Sequence, residues 1–458
     1  MAENDMGPGV LHGSLWRAIP LFALPVAATS VLEQLSNLID TVMIGHFSAD
    51  GGTLGMAAVG SNAPITSLLV NLFVGLSLGA NVAVAHALGA GDGERASRCA
   101  HSSVLLALSG IVVAVIMELA SRPLLTCLGV PADAFEDALA FLRVYLLGVP
   151  AVLLYNLEAA VFRSAGVTRM PLVALAMSAV LNVILDAIFV PLLGWGAAGV
   201  ALATVLCYCA SSAFLFSRLL VADGPIRIVP SRLRADAASL LTIVRVGVPA
   251  GLQGAVFAIA NILIQSCVNS LGTQVVAASS AALALEFVCY SLLNSFSQAC
   301  TTFVGQNNGA GNFARCRRTL VTCLVEDGLV SALTVLSVLV AGRELLSLFT
   351  SDPEVIDIAF VRLCTVFPAY AFSMVYENVA GYLRGFGISL APSLVTVVGV
   401  CGVRALWVFA IFPASPTFGT VMLAYPASLG VTAVLMVGLL AWLRPSRSAV
   451  GTLGEEKR

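Results

Sequence analysis

Along this chain, apolar residues gather into long blocks separated by short polar segments that hold most of the arginines. A helix needs roughly 20 mainly apolar residues to cross a bilayer. The blocks are of that length, and their pattern predicts twelve spans. In the first half they cover 15–45, 56–86, 100–120, 139–161, 171–190 and 197–219. In the second half they cover 240–268, 277–304, 320–341, 359–382, 392–412 and 419–443. Composition agrees: of 458 residues 59% are hydrophobic and 10% charged, against about 25% charged in soluble domains, and the mean hydropathy is +0.97. The expected fold class is an all-α polytopic membrane protein.

The formal net charge of −2 hides an asymmetry. With a cytoplasmic N-terminus, 18 of the 23 Lys and Arg fall in inner segments, as the positive-inside rule requires. Both termini are then expected in the cytoplasm. The N-terminus carries Glu3 and Asp5 in place of a basic leader region, and the first apolar run outlasts a signal peptide, so the first helix should be retained. Eleven cysteines lie singly through the spans, except Cys207 and Cys209, and read as small buried hydrophobes. Four histidines show no HExxH pattern, and no interface gathers catalytic groups, so neither an enzyme nor a cofactor is expected.

The chain is duplicated. GAGDGERASR at 89–98 returns as GAGNFARCRR at 309–318. FRSAGVTRMP at 162–171 matches LRGFGISLAP at 383–392, pairing Arg163, Gly166 and Pro171 with Arg384, Gly387 and Pro392 at an offset of 221. Upstream, Pro25 and Asn37 pair with Pro249 and Asn261 at an offset of 224. Each half holds six spans, an even number, so both insert the same way, as two bundles related by a pseudo-two-fold along the membrane normal. The expected organisation is an N-terminal tail at 1–14, a first lobe at 15–220, a cytoplasmic linker at 221–239, a second lobe at 240–443 and a C-terminal tail at 444–458. Two facing bundles suit alternating access. Pro25, Pro150, Pro249 and Pro368 fall in or near spans as candidate kinks.

An ionisable side chain deep in a span costs about 2.5 to 3.5 kcal/mol on insertion scales and marks a functional candidate. In LNVILDAIFV, Asn182 and Asp186 are four apart and share a helix face. Asp40 in the first span and Thr204 in the sixth fall at the same depth. Oxygen side chains of this kind suit a proton or a hard cation such as Na+. The alternative is that the acids snorkel to the outer surface or brace neighbouring helices. The repeat weighs on the choice: Asp40 corresponds to Ile264, Asn182 to Val403 and Asp186 to Trp407, so the acids occur in one copy only. In the second half the candidates are Glu286, and Glu377 with Asn378; Glu377 has Arg384 two turns away as a possible ion-pair partner. Asn156, beside Tyr155 and Glu158, occupies the position of Glu377 in the first copy.

The stretches LIDTVMIGHF with AAVG, GAGDGERASR, AGVTRMP, LNVILDAIFVPLLGWGAAGVALATV, FVGQNNGAG and YLRGFG resemble the multidrug and toxic compound extrusion (MATE) family, in its prokaryotic branch, over nearly the whole chain. The resemblance implies two six-helix lobes and efflux of amphipathic, often cationic compounds against an inward flow of Na+ or H+. Carried over, it implies a cation site at Asp40, Asn182, Asp186 and Thr204, with Asn156 lining the same pocket. Two departures lie in the second lobe: Phe257 stands about where one branch has a helix 7 acid, and Ser373 stands where a helix 10 acid is expected. Tyr155, Glu286 and Glu377 remain candidates for lining the substrate path.

These readings set the expectations: a cation-coupled antiporter in the cytoplasmic membrane of a prokaryote, working as a monomer. Its partners are small-molecule substrates and the bilayer, not nucleic acid. The alternative is a lipid-linked oligosaccharide flippase, for which the only basic residue deep in a span of suitable position is Arg404.

Overall fold

The computed structural model describes residues 9–47, 53–350 and 352–445, which contain helices and no β-strand. Twelve helices are long and apolar enough to cross a membrane. They are α1 (Leu15–Phe47), α2 (Leu54–Gly89), α3 (Gly93–Cys127), α4 (Phe135–Ser164), α5 (Arg169–Leu192) and α6 (Gly196–Leu220). After a segment with two short 3-10 turns come α7 (Ala237–Ser270), α8 (Thr273–Gly309), α9 (Phe313–Ser347), α10 (Pro353–Gly385), α11 (Leu390–Ala414) and α12 (Phe418–Leu443). Large apolar side chains such as Leu119, Leu147, Val340 and Trp442 stand outward, as a lipid-facing surface requires. The chain is a multi-pass membrane protein.

The helices match the predicted spans one for one but extend past most of them, because hydropathy marks only the oily middle of a helix. The α2–α3 and α8–α9 corners show what ends and restarts them. Gly91 and Gly311 both take the left-handed conformation at φ +71°, which glycine adopts without penalty. Asp92 then caps α3 by accepting from Arg95 N at 2.9 Å, and Asn312 caps α9 by accepting from Arg315 N at 3.1 Å. The duplicated GAGD and GAGN are therefore the same corner built twice. Gly166 and Gly387, at φ +82° and +79°, repeat the agreement after α4 and α10.

Packing divides the chain into two compact units, one of residues 28–251 and one of residues 9–27 with 252–445. The boundary at 251/252 lies inside α7, whereas the sequence expectation placed it in the linker at 221–239. The first half of α1 belongs to the second unit: Phe22 packs edge-on against Phe303 with centroids 5.7 Å apart. Arg315 ties the segment ahead of α1 there by donating to the carbonyls of Val10 (3.2 Å) and Gly13 (3.0 Å). Conversely, the 221–239 segment and the first half of α7 belong to the first unit. His101 accepts from Val229 N at 3.0 Å, and Ser102 Oγ accepts from Asp236 N at 2.9 Å. This gives His101 an architectural role.

Within the first unit, α2 and the start of α7 meet backbone to backbone. A Cβ on Gly75 would lie 2.2 Å from Gly251 N, and one on Gly79 would lie 2.1 Å from Ile243 O. Gly75/Gly79 and Gly247/Gly251 are two facing GxxxG pairs, the spacing that lets membrane helices approach this closely. Pro25, Pro150, Pro249 and Pro368 all lie inside continuous helices. The tails expected at 1–14 and 444–458 fall mostly outside the described residues.

Candidate functional site

In the first unit, α1, α5 and α6 bring Asp40, Asn182, Asp186 and Thr204 together. The i, i+4 spacing of Asn182 and Asp186 puts both on the buried face of α5. Thr204 Oγ1 donates to Asp40 Oδ2 at 3.3 Å, and Asp186 and Asn182 stand beside Asp40. Asp40 is 9% exposed and Asp186 0%, so neither acid snorkels to the surface. A π-helical turn, Ile188–Leu192, begins two residues after Asp186; such turns recur at functional sites.

The decisive chemical feature is a shortage of donors. Asp40 Oδ1, Asn182 Oδ1 and both oxygens of Asp186 are buried without a hydrogen-bond donor. Two carboxylates bond one another only if a proton lies between them. Orphaned buried oxygens of this kind cost about 1–3 kcal/mol each, more when charged. Their number and type fit a proton or a Na+ ion.

The other first-unit candidates stand on α4. Asn156 Nδ2 donates to Val152 O at 2.8 Å, and Tyr155 packs edge-on against Tyr208. Neither hydrogen-bonds to the four-residue group. Glu158, fully buried, accepts from Ser212 Oγ at 2.9 Å and keeps Oε1 without a partner.

In the second unit each candidate acid already has a partner. Arg362 grips both oxygens of Glu286, with Nη2–Oε2 at 2.9 Å, and also donates to Ser279 Oγ and Tyr425 Oη. Glu377 accepts from Tyr290 Oη at 3.2 Å. The expected pairing of Glu377 with Arg384 is not formed, because Arg384 reaches instead to Gln253 Oε1 at 2.8 Å. Sequence reasoning passed over Glu326 and Asp327, two adjacent acids inside the ninth apolar block. Asp327 accepts from Asn378 Nδ2 at 2.6 Å, and Glu326 has two buried oxygens with no donor. The signal was plain: VED interrupts an otherwise oily run.

The MatE family model matches this chain twice, over residues 25–188 and 249–409. The chain belongs to the MatE family. The two matches start 224 residues apart and end 221 apart, the offsets of the internal repeat. Among relatives, it is 24% identical to "Probable multidrug resistance protein YoeA" of Bacillus subtilis, over 93% of each chain. It is also 24% identical to "Probable multidrug resistance protein NorM" of Thermotoga maritima, over 83% of this chain and 82% of the relative. A crystal structure of a MATE protein in complex with MaL6 superposes with a TM-score of 0.87 at 22% identity, covering 98% of this chain and 99% of that one, which establishes the fold. This MatE-family chain is thus a membrane transporter of small molecules, and the names of these relatives give the flippase reading no support.

The two departures in the second unit of this MatE chain now have a structural content. Phe257 lies under the guanidinium of Arg404, 5.1 Å from ring centre to Cζ, so an aromatic face stands where one branch has an acid. Ser373 is buried. At the positions equivalent to Asp40 and Asp186, Ile264 is buried and Trp407 Nε1 donates to Thr420 O at 2.8 Å.

Proposed function

We propose that this protein is a cation-coupled antiporter that exports amphipathic drugs or metabolites across the cytoplasmic membrane of a prokaryote by alternating access. Both termini lie in the cytoplasm. The observation that carries the reading is the set of buried, donor-poor oxygens at Asp40, Asn182 and Asp186, with Thr204 at its edge.

The physics of the switch follows from that set. Two unit negative charges about 4 Å apart repel by about 4 kcal/mol at an effective dielectric of 20. A proton shared between Asp40 and Asp186, or a Na+ ion held by their oxygens with those of Asn182 and Thr204, removes the repulsion. The neutralised and the charged group then favour different packings of α1, α5 and α6. A ligand shifts such an equilibrium only by its differential affinity for the two states, and neutralisation of this pair supplies several kcal/mol. Each inward positive charge adds about 2.3 kcal/mol per 100 mV of membrane potential, enough for a roughly fifty-fold substrate gradient.

The test is uptake of ethidium into inside-out vesicles under an imposed pH gradient or an imposed Na+ gradient. One of the two should drive accumulation in the wild type, and neither should in Asp186→Asn. Gradient-driven uptake of wild-type size in that variant would remove the assignment.

A further inference from the structure

The second unit holds two fully buried arginines that differ in one respect. Arg362 and Arg404 are each 1% exposed. Arg362 has its charge cancelled by both oxygens of Glu286. Arg404, on α11, has no carboxylate within ion-pair distance among the described residues. Its Nη1 donates to Asn261 Oδ1 at 2.5 Å and its Nε to Ser428 Oγ at 3.3 Å, both neutral. The rings of Phe257 (5.1 Å) and Tyr425 (4.5 Å) face its Cζ. Nη2 makes no hydrogen bond among the described residues, and neither does Nδ2 of Asn261, whose side chain is exposed. Two π-helical turns, Val397–Gly402 and Trp407–Ile411, bracket Arg404.

A buried permanent charge without a counter-charge is expensive, and its ion pair is strongly favourable when the partner arrives. The guanidinium fork matches a carboxylate, and one uncancelled positive charge balances one carboxylate, not a doubly charged phosphate. Aromatic faces beside it suit a flat apolar body.

We propose that Arg404 and Asn261, with Phe257 and Tyr425, form a recognition site for the carboxylate of an aromatic, amphipathic substrate. Resting on the export reading above, this narrows the substrate class to organic acids and zwitterions that carry a carboxylate on an aromatic frame. The first unit handles the coupling cation and the second reads the substrate's anion.

The decisive experiment compares two probes that differ only in that charge: norfloxacin, a zwitterion with an aromatic carboxylate, and its methyl ester. Binding is measured on the purified full chain in nanodiscs by ligand fluorescence. The wild type should bind the acid about tenfold more tightly than the ester or better, as for a charge-assisted pair. Arg404→Met should bring the two within about twofold, and Arg404→Lys should keep a reduced preference. Absence of an acid preference in the wild type, whether both probes bind or neither does, overturns the proposal; so does a preference that survives in Arg404→Met. Should Arg404→Met fail to fold, the wild-type pair of probes still decides. Ethidium uptake, which carries no carboxylate, is scored separately, so loss of the export reading and loss of the anion site give different results.

Discussion

The equivalent helices of the two units carry opposite chemistry. On α1, α5 and α6 of the first unit, two carboxylates and an amide lie buried with too few donors. On α7 and α11 of the second, a buried guanidinium has no carboxylate within ion-pair distance among the described residues. The corners that shape both units did not diverge: Gly91 and Gly311 share φ +71°, and Asp92 and Asn312 cap the same way. Duplication kept what the backbone needs and left the polar interior free to specialise, so the charged residues that differ between copies and have no internal counter-charge are the ones to assign to function.

The largest effect belongs to the first unit. Asp186→Asn should reduce gradient-driven efflux to the level of cells lacking the transporter while leaving the protein folded in detergent, since the change is nearly isosteric. If the variant is merely slow, with its ion dependence intact, the acid pair is not the coupling site. Next in size, Arg362→Met should destabilise the second unit by about 3–5 kcal/mol, because it strands the buried Glu286. SDS unfolding reads this directly, and the double variant Arg362→Met/Glu286→Gln should recover much of the loss. The caps come third: Asp92→Ala and Asn312→Ala should each lower stability by about 1 kcal/mol, and by similar amounts, since they build the same corner. A large inequality between them would undo the claim that the scaffold was conserved. Smallest, Arg404→Met should change stability by about 1 kcal/mol or less, since it strands only neutral groups at Asn261 and Ser428. A loss as large as that of Arg362→Met would make Arg404 a structural brace.

The twelve spans were legible because a bilayer leaves no other solution for backbone hydrogen bonds than long apolar helices. Their ends were not, because caps such as Asp92 are polar and hydropathy cannot see them. Asp40, Asn182, Asp186 and Thr204 could be grouped from helical spacing and depth alone. What spacing cannot give is the identity of partners far apart in the chain. Glu286 finds Arg362 across 76 residues, and that pairing turns a candidate site acid into half of an internal ion pair. Arg384 choosing Gln253 over Glu377 is the same kind of fact. The division of α1 and α7 between units was equally hidden, since both halves of each helix are apolar and nothing in composition says which core they join.

Tyr425 on α12 belongs to both buried arginines: its ring faces Arg362 at 5.2 Å and Arg404 at 4.5 Å, and its hydroxyl accepts from Arg362 at 3.2 Å. One π-cloud is thereby divided between a cation that is already neutralised and a cation that is not. Loss of that ring would therefore touch both cations at once: Arg362 would keep Glu286 and Ser279, whereas Arg404 would keep only the face of Phe257 and two neutral oxygens.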